Sequence, residues 1–241
     1  MDSTQTRAGR VMSFIQSLSA VENPMSLSNR MRTKRFELFE RLAANMPRPL
    51  RIIDLGGTPE FWEQRGWGER SDVHITGVNI QPKVTGTNNF QPVFGDVTDL
   101  SQFPDNSFDI AFSNSVIEHL RDLQSQAKMA CEMKRVAGAI WLQTPNYWFP
   151  IEPHFHIVGW QWLPIWLRKA IIKKTRCGWR GPCRDEAEAE DIVREVRLMT
   201  KRELVKLFPD HIFVAERFCG VVKSWIVHSG FFNQMEIRKA A

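Results

Sequence analysis

The chain has 241 residues, 43% hydrophobic and 24% charged, which is the composition of an ordinary globular protein able to bury one large core. No apolar run reaches the roughly 18 residues of a membrane-spanning helix, the N-terminus lacks a signal-peptide block, and the four cysteines form no CxxC pair, so we expect a cytosolic protein with reduced thiols. The net charge of +5 and the pI of about 9.2 favour an anionic partner, such as nucleic acid, acidic lipid or a phosphorylated substrate.

The first predicted element is a helix over residues 23–46, where apolar residues recur at helical spacing until the prolines that follow end it. Residues 50–57, LRIIDLGG, form a short apolar run closed by glycines, as in a strand buried on both faces of a parallel sheet. Helix-like segments, notably residues 117–135, separate several of the later runs. These later runs are residues 74–80, 91–97, 108–114 and 138–146. The alternation predicts a doubly wound α/β sheet.

The C-terminal part follows another pattern. Residues 199–210 predict a short helix with Thr200 as its N-cap. The two apolar runs after it lie too close together for a crossover helix, so they predict an antiparallel hairpin. We therefore expect an N-terminal helical lead-in or cap and one α/β domain with a helical insertion after the fifth strand. The expected ranges are 1–47 for the lead-in, 48–241 for the domain and 147–198 for the insertion.

Polar residues and glycines stand where the predicted strands end. In an open α/β sheet, ligands bind outside the carboxyl ends of the strands, at the point where the strand order reverses. The dinucleotide fingerprint GxGxxG is absent and the second strand ends without an acid, which disfavours a nicotinamide-dependent dehydrogenase. The candidate ligand-binding residues at the strand ends are Asp54, Gly56, Gly57, Asn79, Ile80, Asp96, Val97, Ser113 and Asn114.

The combined pattern is more specific than any of its parts. In their order and spacing, RIIDLGG, ITGVNIQP, FGDVTDLSQFPDNSFDIAFSNSVIEHL and WLQTPN resemble class I S-adenosylmethionine-dependent methyltransferases, in particular the type 11 group related to quinone-biosynthesis enzymes. The resemblance covers residues 48–146, and the C-terminal hairpin agrees with the seven-stranded, Rossmann-like sheet of that family, whose last strand pair is antiparallel. It implies S-adenosyl-L-methionine as the cofactor and methyl transfer as the activity.

Two strand ends depart from the family pattern. The turn from Asp54 to Gly57 would pass under the methionine part of the cofactor, but Thr58 and Glu60 occupy the places of the second and third glycines of the usual acid-x-Gly-x-Gly-x-Gly turn. Asn79 would face the ribose hydroxyls in place of the usual acid, and it can still hydrogen-bond a hydroxyl without charge assistance. We therefore expect modest affinity for the cofactor.

The other two strand ends match the family. The resemblance implies that Asp96 accepts from the adenine amino group, with Val97 beside the ring, and a carboxylate is a suitable acceptor there. It also implies that Ser113 and Asn114 bring backbone near the sulfonium, from which the methyl group leaves.

Methyl transfer from a sulfonium is an in-line displacement, so the protein supplies positioning and, for a hydroxyl acceptor, a base. His119 is the first candidate, with Glu118 orienting it or lining the pocket, because imidazole titrates near neutral pH. His154 and His156 follow the fifth strand, where such enzymes often build the acceptor pocket. A metal pair of these histidines is the alternative. Some relatives hold a divalent ion with Glu-x-x-Glu-His, but Ser115 takes its first position here, so we expect no metal.

The residues after the fifth strand complete the predicted acceptor site. The residues expected to contact the acceptor are Glu118, Tyr147, Glu152 and Trp160, and Tyr147 is the only tyrosine of the chain.

Residues 159–180 allow two interpretations. They contain an apolar stripe at helical spacing with basic residues beside it. The first interpretation is a helix packed over the sheet edge as a pocket lid, and the second is an amphipathic helix on a membrane surface, which would suit a lipid-linked acceptor. The stripe consists of Leu163, Trp166, Leu167, Ala170 and Ile171.

The leading hypothesis is an enzyme that methylates a small molecule, on oxygen in preference to nitrogen or carbon, such as a sugar, lipid or secondary metabolite. An RNA methyltransferase is an alternative suggested by the excess of basic residues, although no RNA-binding module is appended. No DNA partner is expected. A non-catalytic cofactor-binding or scaffold protein is a third alternative, suggested by Thr58 and Asn79. The sequence leaves the acceptor and the oligomeric state open.

Overall fold

A computed structural model of the chain describes residues 27–82, 88–178 and 180–231, so the first part of the predicted lead-in lies outside the described residues. The strands are β1 (Leu50–Leu55), β2 (Val73–Asn79), β3 (Phe90–Phe94), β4 (Phe108–Asn114), β5 (Ala137–Pro145), β6 (Ile212–Phe218) and β7 (Val221–Ser229). The helices are α1 (Leu27–Ala43), α2 (Pro59–Glu63), α3 (Leu123–Val136), α4 (Ile165–Lys174), α5 (Glu186–Arg194) and α6 (Lys201–Leu207). Single 3₁₀ turns form at Ile117–His119 and Trp160–Trp162.

The seven strands form one sheet in the order β3-β2-β1-β4-β5-β7-β6. Strands β1 to β5 pair in parallel, whereas β7 pairs antiparallel with both β5 and β6. The predicted doubly wound sheet with an antiparallel C-terminal hairpin is therefore confirmed. The strand order reverses between β1 and β4, which places the expected ligand site at the carboxyl ends of these two strands.

The chain folds as two compact units. Of the described residues, 39–148 and 196–231 form the sheet unit, and 27–38 and 149–195 form the insertion unit. Helix α1 belongs to the insertion unit up to Leu38 and to the sheet unit from Phe39 onward. None of the helices in the described part of the chain is both long and apolar enough to cross a membrane.

Both faces of the sheet are buried, as the continuous apolar runs of its central strands predict. One face is mostly aliphatic, and its residues form a single core with α3 and α6. The other face is aromatic and centres on Phe39 of α1, whose ring lies 5.1 Å from that of Phe112 and 5.4 Å from those of Trp67 and Trp141, centroid to centroid. Successive strand residues point to opposite faces, so Phe112 lies on the aromatic face and Ala111 in the aliphatic core.

The helix boundaries follow local capping. Helix α3 begins after Asp122, whose carboxylate accepts from Ser125 N at 2.8 Å, so the prediction of a helix from residue 117 was wrong at its start. Helix α6 begins after Thr200, as predicted, and Glu203 completes a capping box by accepting from Thr200 N at 2.8 Å.

Ion pairs hold together helices α4 and α5 of the insertion unit. Lys169 Nζ lies 2.7 Å from Glu186 and 2.8 Å from Glu190 of α5, and Lys173 Nζ lies 2.9 Å from Glu186. The buried residue of α4 is Ile172.

Trp166 and Ala170, two members of the apolar stripe predicted from the sequence, are exposed to solvent.

Candidate functional site

The turn after β1 can be built only from glycines. Gly56 has a φ of +79°, and a Cβ atom there would lie 2.7 Å from a methyl group of Val116. A Cβ atom at Gly57 would lie 1.7 Å from the Asp54 carboxylate. The two departures from the family pattern fall just beyond this turn, since Thr58 precedes the short helix α2 and Glu60 lies within it.

Asp54 is buried beneath this turn. Its Oδ2 accepts from the indole Nε1 of Trp62 at 2.7 Å, and burial raises the pKa of the carboxyl to about 7, with the indole bond opposing that rise. Trp62 stands on α2 and was not predicted as a site residue, because nothing in the local sequence pairs it with Asp54. The helix that begins after Thr58 and contains Glu60 thus supplies the partner of the buried acid.

The residues at the ends of β2 and β3 are more exposed to solvent than Asp54. Asn79 Oδ1 accepts from Gln81 N at 3.1 Å, and Ile80 is exposed. Asp96 is exposed, and its Oδ1 accepts from the backbone N and the hydroxyl of Thr98, both at 2.8 Å. These bonds fix the direction of the Asp96 carboxylate, as an acceptor for an amino group would need.

At the end of β4, Ser113 is fully buried and its hydroxyl has no hydrogen-bond partner within the described ranges. Asn114 is half-buried. Ser115 follows with a φ of +58°, and it is tied to β5 by bonds from its N to Gln143 O (2.9 Å) and from its Oγ to Gln143 Oε1 (2.8 Å). This left-handed residue ends the strand and starts the turn that carries Glu118 and His119.

Glu118 and His119 differ sharply in environment. Glu118 is fully buried, and its Oε2 accepts from the hydroxyl of Thr144 at 2.9 Å, while its carbonyl accepts from Arg197 N at 2.7 Å. His119 is exposed. The geometry gives Glu118 a bracing role between β4 and β5, and Thr144, its partner, was not predicted. Tyr147, after β5, is half-buried, with its N donating to Met199 O at 3.1 Å.

In the insertion unit, Glu152 organises its own loop. It is 1% exposed, and its Oε2 accepts from the backbone N of His154 and of Phe155, both at 2.7 Å. Its Oε1 lies 2.7 Å from Nδ1 of His154. A neutral His154 bonded in this way carries its proton on Nδ1, which makes Nε2 the basic nitrogen.

Two further predicted residues are part of the interior of the insertion unit. His156 is 3% exposed with a φ of +55°, and burial lowers the pKa of its imidazole. Trp160 is 1% exposed and stacks on Phe155, with ring centroids 4.3 Å apart. The thiols of Cys177 and Cys183 are also buried, and burial raises the pKa of each.

The structure thus brings the strand-end residues of β1, β2, β3 and β4 to one edge of the sheet unit. Three observations fit a cofactor of the predicted kind: a glycine turn that no side chain could replace, a buried hydroxyl without a partner at Ser113, and a directed carboxylate at Asp96. An acid, an amide and a hydroxyl at such an edge can bind amino and hydroxyl groups of a nucleoside and an amino acid.

Several known structures are similar to this chain but distant from it in sequence. The N-terminal domain of EvdMO1 is 15% identical at a TM-score of 0.51, over 95% of this chain and 99% of that one. A possible exported protein from Bordetella parapertussis is 13% identical at a TM-score of 0.52, over 93% and 83%. A protein described as a sarcosine dimethylglycine methyltransferase, from Galdieria sulphuraria, is 19% identical at a TM-score of 0.40, over 49% of this chain, which spans 48% of that one.

Comparison with protein families identifies one matching region. No curated protein matches the sequence. Residues 57–139, from the glycine turn through β5, match the family model described as a methyltransferase domain. The matched region contains the ends of β2, β3 and β4 and the turn with Glu118 and His119, and it agrees with the resemblance drawn from the sequence motifs. Residues 57–139 of this chain are therefore similar to a methyltransferase domain, and S-adenosylmethionine is the cofactor that this match implies.

Proposed function

We propose that this protein transfers a methyl group to a hydroxyl oxygen of a small molecule, with His154 as the general base. The observation that carries the proposal is the Glu152–His154 pair, in which a buried carboxylate lies 2.7 Å from Nδ1 of a partly exposed imidazole. Such a pair fixes the tautomer and the ring orientation of a histidine, as an enzyme that must remove a proton requires.

The cofactor would be held by the carboxyl edge of the sheet. Gly56 and Gly57 would let the backbone pass under its methionine part, and Asn79 would face the ribose. Asp96 would accept from the adenine amino group through the oxygen that Thr98 does not use. Ser113 would lie near the sulfonium, where its buried hydroxyl gains a partner.

In the proposed reaction, S-adenosylmethionine supplies an electrophilic methyl group. Nε2 of His154 takes the proton of the acceptor hydroxyl as its oxygen bonds to the methyl carbon, and the sulfur keeps the electron pair of the broken bond. Glu152 stabilises the imidazolium that results, and its two bonds to backbone N–H groups keep the carboxylate in place. His119 is the second candidate for this role because it is exposed beside the strand ends of the sheet unit.

An oriented base favours oxygen over nitrogen as the acceptor atom. A hydroxyl must lose its proton as it attacks, whereas a neutral amine already carries a reactive lone pair. The small size of the acceptor finds support in the domain of EvdMO1, which was crystallised in the presence of S-adenosylhomocysteine and D-fucose, a small molecule with several hydroxyl groups.

The first experiment identifies the acceptor. The protein is incubated with S-adenosylmethionine carrying a labelled methyl group and with separate small-molecule, lipid and RNA fractions of a cell extract. We expect label in the small-molecule or lipid fraction, in a product that is a methyl ether. Label in RNA alone would support the RNA alternative instead, and no transfer to any fraction would support a non-catalytic protein.

The second experiment tests the base. We expect His154→Ala to lower kcat by about 10²- to 10⁴-fold with little change in cofactor affinity measured by calorimetry. Glu152→Gln should lower kcat in the same direction and move the pH profile of kcat, because it removes the charge that stabilises the imidazolium.

His156→Ala and His119→Ala are the matched comparisons. Full turnover by His154→Ala together with a dead His119→Ala would transfer the role of base to His119. If all three histidine variants kept full turnover, none of these three histidines would be the base.

A further inference from the structure

Exposed apolar side chains are concentrated in one segment of the insertion unit. Val158 is 63% exposed, Trp162 45%, Ile165 36% and Trp166 68%, and all four lie within nine residues of the chain. Single exposed apolar residues are ordinary, but a group that includes two tryptophans marks a surface that contacts something other than water. We call these four side chains the tryptophan surface.

The tryptophan surface is displayed by an anchored segment. Trp160 is buried against Phe155, two residues before the exposed Trp162. Gln161 Nε2 donates to Phe149 O at 2.7 Å, and the guanidinium of Arg168 donates to Leu163 O at 2.8 Å. The backbone that carries Trp162 is therefore held on both sides, and the exposure of its indole is not the result of a loose loop.

The exposed side of helix α4 is apolar near its start and basic near its end. Trp166, Ala170 and Lys173 lie at i, i+4 and i+7, so they share one exposed line that begins apolar and ends basic. Exposed Lys174 is the last residue of α4, eight residues after Trp166, and exposed Arg176 follows just beyond the end of the helix. Lys173 pairs with Glu186, whereas neither Lys174 nor Arg176 forms an ion pair with any described residue. The same short segment therefore carries exposed apolar side chains at its start and basic charge without acidic partners at its end.

We propose that the tryptophan surface is where this protein binds the surface of an anionic lipid bilayer. Tryptophan is enriched at the boundary between lipid and water because its ring is apolar and its N–H is polar. Lys174 and Arg176 would contact the acidic headgroups, an attraction that salt weakens. The proposal does not depend on the nature of the methyl acceptor.

A second copy of the chain is a poorer occupant of this surface. Four side chains fall well short of the roughly 800 Å² per partner that a stable interface buries. Lys174 and Arg176 also give this segment charge of one sign, which favours an anionic partner over a second copy of the same surface.

The proposal is tested by sedimentation of the full chain with vesicles of phosphatidylcholine, with and without phosphatidylserine. We expect the wild type to sediment with the phosphatidylserine vesicles at about 0.1 M salt and to lose most of that binding at about 0.5 M. Trp162→Ala/Trp166→Ala should weaken binding about tenfold or more. Lys174→Glu/Arg176→Glu should remove the preference for phosphatidylserine. Circular dichroism establishes that each variant is folded.

Ile212→Ser/Val221→Ser is the matched control, because these residues are 49% and 44% exposed on the C-terminal hairpin of the sheet unit. It should bind vesicles as the wild type does. Equal binding by the tryptophan double variant and the wild type would overturn the proposal, as would a wild type that does not sediment with any vesicle. A dimer in solution that Trp162→Ala/Trp166→Ala dissolves would assign the surface to self-association instead.

Discussion

The buried carboxyl of Asp54 should make the stability of the cofactor-free protein fall as the pH rises from about 4 to about 7. Burial raises its pKa from 3.8 to about 7, even though Trp62 donates a hydrogen bond that favours the ionised form. A shift of about three units corresponds to about 4 kcal/mol in the free energy of unfolding across that range, which is an order-of-magnitude figure.

The sign follows from which state holds the proton. The unfolded chain loses its Asp54 proton near pH 4, whereas the folded protein keeps it until about pH 7. Between these values only the unfolded state gains from ionisation, so the free energy of unfolding decreases. His156, His211 and His228 act in the opposite direction, because burial lowers their pKa values and their contribution is lost as the pH falls.

Asp54→Asn isolates the contribution of the acid. Asparagine keeps an oxygen that can accept from Trp62 Nε1, and it has no proton to lose. We expect the stability of this variant relative to the wild type to grow by about 4 kcal/mol between pH 4 and pH 8. Guanidinium unfolding at several pH values, without cofactor, measures that difference. A difference that stays constant over the range would refute the buried, protonated carboxyl.

Trp62→Phe tests the hydrogen-bond donor of the Asp54–Trp62 pair. It keeps an aromatic ring next to Phe112 and removes the N–H donor, so a charged Asp54 would be buried without that bond. We expect a loss of about 1–3 kcal/mol at pH 8, where the carboxyl is ionised, and a smaller loss at pH 5. An equal loss at both pH values would show that only packing was disturbed.

Three further outcomes are expected. Asp96→Ala should weaken binding of S-adenosylhomocysteine by about 1–3 kcal/mol in calorimetry, and unchanged affinity would remove Asp96 from the adenine site. Methyl transfer should survive EDTA, so complete loss of activity that a divalent ion restores would contradict the expectation of no metal. Thr200→Ala should lower the free energy of unfolding by about 1 kcal/mol, because it removes one half of the capping box of α6. Denaturant midpoints would detect this change, and an unchanged midpoint would mean that the cap does not stabilise the protein.

The strands could be predicted because their burial leaves a direct pattern in the sequence. Residues of β1 and β4 are apolar on both sides of the strand, which only a sheet covered on both faces needs. The boundaries of the helices and their buried sides were harder to predict from the sequence. Asp122 and Ser125 form a cap that outweighs the apolar periodicity running through Ile117. Helix α4 has only ten residues, and its sequence left open whether Trp166 packs against the protein or faces outward; the structure exposes it.

The positions of the candidate cofactor residues could be predicted from the sequence because they follow directly from where the strands stop. The burial of the candidate acidic residues and their hydrogen-bond partners could not be predicted. Asp54, Glu118 and Glu152 are all buried, and their side-chain partners stand eight, 26 and two residues away in the sequence. In the sequence, an acidic residue that stabilises the fold looks the same as one that faces a ligand, and only its packing distinguishes the two.

Phe39 sets a practical limit on how this protein can be divided. Its ring lies within about 6 Å, centroid to centroid, of five other aromatic rings, those of Trp62, Trp67, Phe112, Trp141 and Phe231. A shortened chain that starts at residue 48, the domain boundary predicted from the motifs, would lack this ring and leave the aromatic face of the sheet open to water. Anyone preparing the methyltransferase domain for screening or crystallisation should therefore keep helix α1 attached, and should expect proteolytic cuts within α1 to yield aggregates instead of a trimmed domain.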